Sequence, residues 1–262
     1  MNDAFGDVAA LEGVAAAAVS ARNAVDALLW DRRLRTGTAE LVQLIAASEA
    51  RASAAMDGAD LPLELVRSGA ALDETPMGLT LAAAMRVTAQ ARDQAKVVDQ
   101  APLQFIAGLA LKAGRDFLPP DQLGQPRFTD DVDDPIRLGS LPPVEQVLPR
   151  LGGLSRLVAG ETTAPAIVVA ALVHGELLAL RPFGFGSGLV ARASEHALLI
   201  ARGVDPSAIV APSAGLMRLG RPAYVSAARA YLSATADGVS EWVCHICTAF
   251  ELSVAESLEY LG

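Results

Sequence analysis

Residues 174–192, HGELLALRPFGFGSGLVAR, carry the densest local signal in the chain. An apolar run ends at Pro182, glycines follow at 184, 186 and 188, and a second apolar segment begins directly behind them. The pattern predicts helix, tight turn, helix, because proline interrupts a helix and glycine admits the positive φ that a sharp turn needs. A helix starting behind such a turn points unpaired N–H groups into it, and its dipole favours negative charge there. Gly184, Gly186, Ser187 and Gly188 are therefore candidates for an anion nest, with Arg181 and Arg192 as flanking phosphate partners. The same glycine spacing also serves as a plain tight turn between helices, and the local pattern leaves both readings open.

Outward from this loop the chain reads as helical nearly throughout. Its 262 residues are 52% apolar but only 5% aromatic, with Ala and Leu dominant, a composition that favours closely packed helices over strands and an all-α fold. Apolar residues recur at helical spacing from Val8 to Arg35 up to a Thr36-Gly37-Thr38 break. Thr38 is the expected N-cap of a second helix ending at Gly58. A third helix is expected over 61–68 with Pro62 in its first turn, a fourth over 77–98 and a fifth over 101–113. Further helices are expected at about 143–159, 163–180, 186–202, 206–219, 221–235 and 239–260.

Residues 114–143 break this pattern with prolines at 119, 120, 126, 135, 142 and 143 and acids at Asp130, Asp131, Asp133 and Asp134. Core helices cannot carry so many breakers, so this segment is a surface loop or short hairpin, its acids most simply solvated. It divides the chain into an N-terminal helical region, residues 1–100, and a core over 101–262.

A net charge of −9 with no Lys/Arg cluster excludes a broad nucleic-acid surface. The N-terminal stretch has no basic region of a secretory signal, and the apolar run 164–180 is interrupted by His174 and Glu176, so no membrane partner and a cytoplasmic location are expected. Cys244 and Cys247 stand at helical spacing in an apolar run, where cysteine packs as a small hydrophobe; a structural zinc would need a fourth ligand beyond Cys244, His245 and Cys247.

Set beside H-P-F-x-[DE]-G-N-G-R-x-x-R, the loop matches at Pro182, Phe183, Gly186, Gly188 and Arg192, and it resembles the motif of the Fic (Fido) family. Arg181 falls on the motif His, Phe185 on the acidic position, Ser187 on the Asn and Leu189 on the first Arg. Other segments in the family's order extend the resemblance. His174 lies seven residues before Arg181; Leu123 to Arg127 and Leu141-Pro142-Pro143 are similar to the family's flap hairpin and Pro-Pro step; Tyr224 to Ala227 and Glu241-Trp242 are similar to its closing helices. Ser53-Ala-Ala-Met-Asp57-Gly58 resembles the inhibitory motif [ST]-x-x-x-E-[GN], with Asp in place of Glu. The resemblance implies a Fic-like helical bundle with a short flap hairpin and an N-terminal helical region.

It also implies what the substitutions remove. In working members the motif His deprotonates a target hydroxyl that attacks a nucleotide phosphate, and the acid holds Mg²⁺. A guanidinium stays protonated and has no lone pair to offer, so Arg181 cannot be that base. Phe185 offers no oxygen to a hard cation, so Mg²⁺ is not expected, and Leu189 withdraws a phosphate contact. General base catalysis alone is worth about 10² to 10⁴ in rate. His174, His196 and Glu195 lie on apolar helical segments and read as structural groups. Asp57 and Arg192 are expected to pair, as the inhibitory acid and second motif Arg do in inhibited members.

The expected function is thus an inactive Fic-like protein acting as a binding or regulatory module, with a nucleotide or phosphate as ligand and an unidentified protein as partner. Two alternatives stand beside it: a nucleotidyl- or phosphate-group transferase with altered chemistry, and a structural helical partner, including a homodimer through apolar faces.

Overall fold

The computed structural model describes residues 3–35 and 38–261, apart from the side chains of Arg35 and Thr38. The Thr36-Gly37 break and the Thr38 cap expected from the sequence lie outside these described residues and side chains. Among the described residues there are thirteen α-helices and no strand. They are α1 (Ala4–Ala9), α2 (Val14–Leu29), α3 (Thr38–Met56), α4 (Leu63–Ser68), α5 (Pro76–Asp93), α6 (Val97–Gln100), α7 (Pro102–Gly114), α8 (Val147–Ala159), α9 (Ala166–Leu180), α10 (Ser187–Ala201), α11 (Pro212–Leu219), α12 (Arg221–Leu232) and α13 (Ala236–Leu261).

The axis of the molecule is α9. Every residue from Ile167 to Leu180 is buried except Glu176, which pairs with Arg150 of α8 at 2.8 Å. A helix that is apolar on all sides has no face for water and must be enclosed. Here α10, α13, α12, α8 and α1 enclose it. Gly175 lets Trp242 of α13 approach, and the indole Nε1 donates to Ala171 O at 2.7 Å. On the far side of α13 runs α2, while α3 lies across α5 and α11. Residues from α2, α3 and α7 belong to the same apolar core as those of α9 to α13, so the first hundred residues and the rest share one interior.

Several helix limits move from their expected places for identifiable reasons. The stretch from Val8 to Arg35 is divided by Gly13, which takes φ +81° ahead of α2. Pro62 caps α4 from outside instead of lying in its first turn. The fourth helix stops at Asp93, and a separate short α6 follows. The α11 helix starts at Pro212, not 206, because the buried Asp205 carboxylate accepts from Ile209 N (3.1 Å) and Val210 N (2.8 Å) and fixes a non-helical turn.

Residues 115–143 form loop with a 3₁₀ turn at Pro120–Gln122, and no strands pair within it. Its backbone bonds outward instead: Arg127 N donates to Pro182 O at 2.8 Å and Asp133 N to Gly184 O at 3.0 Å. Among the described residues no helix is long and apolar enough to cross a membrane. The Cys244-His245-Ile246-Cys247 run lies on α13, with Cys247 buried and Cys244 half-buried against Gly13.

The α11–α13 contact is close because Gly215 has no side chain; a methyl there would stand 1.7 Å from Ala249 O. Gly215→Ala is expected to lower stability by about 1–3 kcal/mol. Gly153→Ala in α8, with nothing within 4 Å, is expected to raise it by up to about 1 kcal/mol. Thermal melts of the two variants check the contrast.

Candidate functional site

The loop joining α9 to α10 is a sharp turn built on two left-handed residues. Arg181 ends α9 with φ +42°, a conformation uncommon for a side chain of this size, and Gly186 caps α10 with φ +71°. A Cβ on Gly186 would meet Ala113 Cβ at 3.0 Å, so both backbone conformation and α7 require glycine there. Ser187 closes the turn: its Oγ accepts from Phe183 N at 3.2 Å and lies 3.3 Å from Phe183 O.

Of the four positions that part from the Fic-like motif, Ser187 closes the turn and the other three are each committed elsewhere. Arg181 is buried and points away from the glycines into the 115–143 loop, where Nη1 donates to Asp134 Oδ2 (2.8 Å) and Gly139 O (3.0 Å) and Nη2 to Ser140 O (2.6 Å). The expected flanking phosphate contact from Arg181 is therefore taken up by the chain itself. Arg127 braces the same corner, donating from Nε to Arg181 O at 3.1 Å and from Nη1 to Asp130 Oδ1 at 2.8 Å. The Phe185 ring stacks on Phe117, centroids 3.7 Å apart. A divalent cation needs oxygen ligands, so this position does not fit the Mg²⁺ that the resemblance implies. Leu189 is buried in a small apolar cluster with Ala54, Leu81 and Ala84.

Above the glycines the α3 helix delivers Asp57. Its Oδ2 lies 2.9 Å from Arg192 Nη2, and the two side chains are 5% and 1% exposed. A Cβ on Gly188 would be 3.0 Å from Asp57 Oδ1 and 3.1 Å from Arg192 Nη1, so the bare glycine admits the ion pair onto the start of α10. Arg192 also donates from Nε to Ser53 Oγ (2.9 Å) and from Nη2 to Ser53 O (3.0 Å). Gly58, with φ +99°, turns the chain away directly after Asp57. The predicted Asp57–Arg192 bridge is formed. Asp57 Oδ1 is buried without a hydrogen-bond partner.

A second carboxyl reaches the loop from the other side. Asp133 is bonded by Gly186 N–H, while partial burial, reinforced by Asp57 and Asp134, pushes its pKa up to about 6. Asp130 and Asp131 are exposed, as expected of a solvated loop, but Asp133 and Asp134 are not. Their proximity to the nest was invisible in the sequence, where only the alternation within Asp130-Asp131-Val132-Asp133-Asp134 hinted that the acids face two ways.

Behind the bridge runs a buried polar chain. Arg192 Nη1 lies 3.5 Å from Tyr224 OH, which is 2.7 Å from His174 Nε2, and His174 Nδ1 bonds Glu195. Trp242 packs edge-on against the imidazole at 5.0 Å. All four groups are buried, the hydrogen-bonded structural setting expected for His174. His196 is equally enclosed, its ring nitrogens lack partners, and burial drives its pKa down to about 3.

This arrangement is that of a known fold. The chain is similar to Fic-1 from C. elegans, with a TM-score of 0.69 at 17% identity over 93% of this chain and 71% of that one. It is similar to a Fic family protein from Desulfovibrio desulfuricans G20 to the same TM-score, at 16% identity over 93% and 74%. No family model and no curated protein matches the sequence. The protein has the Fic fold.

Removing one partner of the Asp57–Arg192 pair leaves a buried charge uncompensated. Asp57→Ala or Arg192→Met alone is expected to cost about 3–5 kcal/mol, and the double variant clearly less than the sum. Denaturant titration of the four proteins is the check, and simple additivity would contradict the coupling. Asp133 gives a separate pH signature. Its raised pKa means that its contribution is full below about pH 4 and is lost as pH rises through about 6. Asp133→Asn is expected to flatten stability across that window.

Proposed function

We propose that this protein is a catalytically inactive Fic-fold module that binds an anionic ligand, a nucleotide or phosphate, at residues 184–192, in a pocket that its own Asp57 fills in the resting state. The observation that carries the reading is the seating of Asp57 against Arg192 over Gly188, a carboxylate at the start of α10 where the guanidinium and the helix dipole favour negative charge. The ligand groups are Gly184, Gly186, Ser187, Gly188 and Arg192, with Ser53, Asp57 and Gly58 as the inhibitory-like segment.

The loss of catalysis is supported by what occupies three of the four altered positions. Arg181 offers hydrogen bonds to the 115–143 loop and no lone pair; Phe185 offers a stacked ring and no oxygen; Leu189 offers packing. The nearest imidazole, His174, is enclosed behind Arg192 and Tyr224. The motif position therefore offers no base to a target hydroxyl.

Incubation with labelled ATP, GTP, CTP or UTP and Mg²⁺ or Mn²⁺ is expected to give no covalent transfer, and Arg181→His alone is expected not to restore it, since metal ligation is still missing. Nucleotide or phosphate is expected to raise the Tm of Asp57→Ala more than that of the wild type, because the competing carboxylate is gone. Covalent transfer would establish the altered-chemistry transferase instead. Absence of transfer together with no Tm shift in either protein would favour a structural partner.

A further inference from the structure

The α3 helix, which carries Asp57, meets the rest of the molecule along an unusual stripe. Leu41 and Ile45 anchor its first half in the core, but from residue 48 onward its inner face bears Ser48, Glu49, Ser53 and Asp57. Each meets a group from a distant element. Ser48 Oγ donates to Glu256 Oε1 of α13 at 2.6 Å, Ser53 and Asp57 hold Arg192 of α10, and Glu49 reaches the start of α11. There Ser213 N donates to Glu49 Oε2 at 2.8 Å and Ser213 Oγ lies 2.6 Å from Oε1.

The Glu49 carboxyl is 2% exposed and, among the described residues, forms no ion pair. The charged groups around it come from three elements. On α10, Arg192 attracts it but is already paired with Asp57, and Glu195 repels it. On α5, Arg92 is held by Ala208 O (3.0 Å) and Val42 O (3.4 Å) and shares its field with Asp205. On α11 only the neutral Ser213 donors face it, while Glu256 of α13 stands beyond Ser48. An ionised carboxylate in this position is hydrogen-bonded but not neutralised, whereas a protonated one can donate to Ser213 Oγ and still accept from Ser213 N.

We propose that docking of α3 onto α10 and α11 is proton-linked through Glu49, so that the helix carrying Asp57 loosens from the loop as pH rises through neutrality. The direction follows from linkage. Burial, aggravated by Glu195 and only partly relieved by Ser213, raises Glu49 from its ordinary 4.5 to about 7 in the docked helix. A group raised in the docked state stabilises docking fully below its free value and loses that contribution as pH climbs through the docked one. Between about pH 6 and pH 8 the opening constant of α3 therefore rises roughly tenfold. Asp133, which faces Asp57 from the other side of the loop, completes its own transition about one unit lower.

The inference regulates the site proposed above and rests on that reading, but its test involves no ligand. Amide hydrogen exchange of residues 48–56, expressed as protection factors to remove the intrinsic pH dependence, is measured from about pH 6 to pH 8.5 on the full chain. Protection of α3 is expected to fall about tenfold while α9 stays level. In Glu49→Gln, which can make the same two bonds to Ser213, the fall is expected to vanish. A pH-independent α3 in the wild type, or an equal fall in Glu49→Gln, would overturn the proposal. Should that variant fold poorly, the ¹³C carboxyl titration of Glu49 in the wild type decides alike: a midpoint near neutral supports the latch, and one near the free value of a glutamate overturns it. Failure to bind phosphate or nucleotide would leave these outcomes untouched and count only against the site reading.

Discussion

A guanidinium at the first turns of α10, 1% exposed, is the constraint around which the rest of the site is organised. An unpaired buried charge costs several kcal/mol, so Arg192 must be met by groups brought from elsewhere in the chain. Asp57 and Ser53 come from α3 and Tyr224 from α12, and each supplies part of the solvation that water cannot. To meet Arg192, α3 must lie across the mouth of the α9–α10 turn. The end of α3 is thus tied to a single cation on α10.

The loop itself is rigid for reasons unconnected with transferase chemistry. Arg181 holds the 115–143 segment through Asp134 and two carbonyls, and Arg127 returns the grip on Arg181 O. Phe185 and Leu189 contribute stacking and burial. At these positions the side chains brace and pack, and the turn keeps its shape through them. The glycines persist because the turn, α7 and Asp57 all need the space they leave.

Two carboxyl groups, Asp57 and Asp133, approach the α9–α10 turn from different segments, and a third, Glu49, is enclosed on α3. Burial first, and nearby like charge second, make Asp133 and Glu49 hold their protons more tightly, which places their titration toward neutral pH.

The helical class, the turn at 181–188 and the pairing of Asp57 with Arg192 were legible from Ala- and Leu-rich periodicity, glycine spacing and motif order. So was the structural character of His174, because an imidazole on an all-apolar helix has nowhere to go but inward. Helix limits set by side chains far along the chain were not legible, as with Asp205 stopping any helix before Pro212. Nor was the direction of Arg181, whose left-handed backbone turns it toward Asp134 and away from the glycines. By itself the sequence determined which segments are helical and which chemical groups the loop lacks, since both follow from local composition. Only the tertiary structure decided which acids approach the turn and which carry raised pKa values, because burial and the approach of groups far apart in the chain are properties of packing alone.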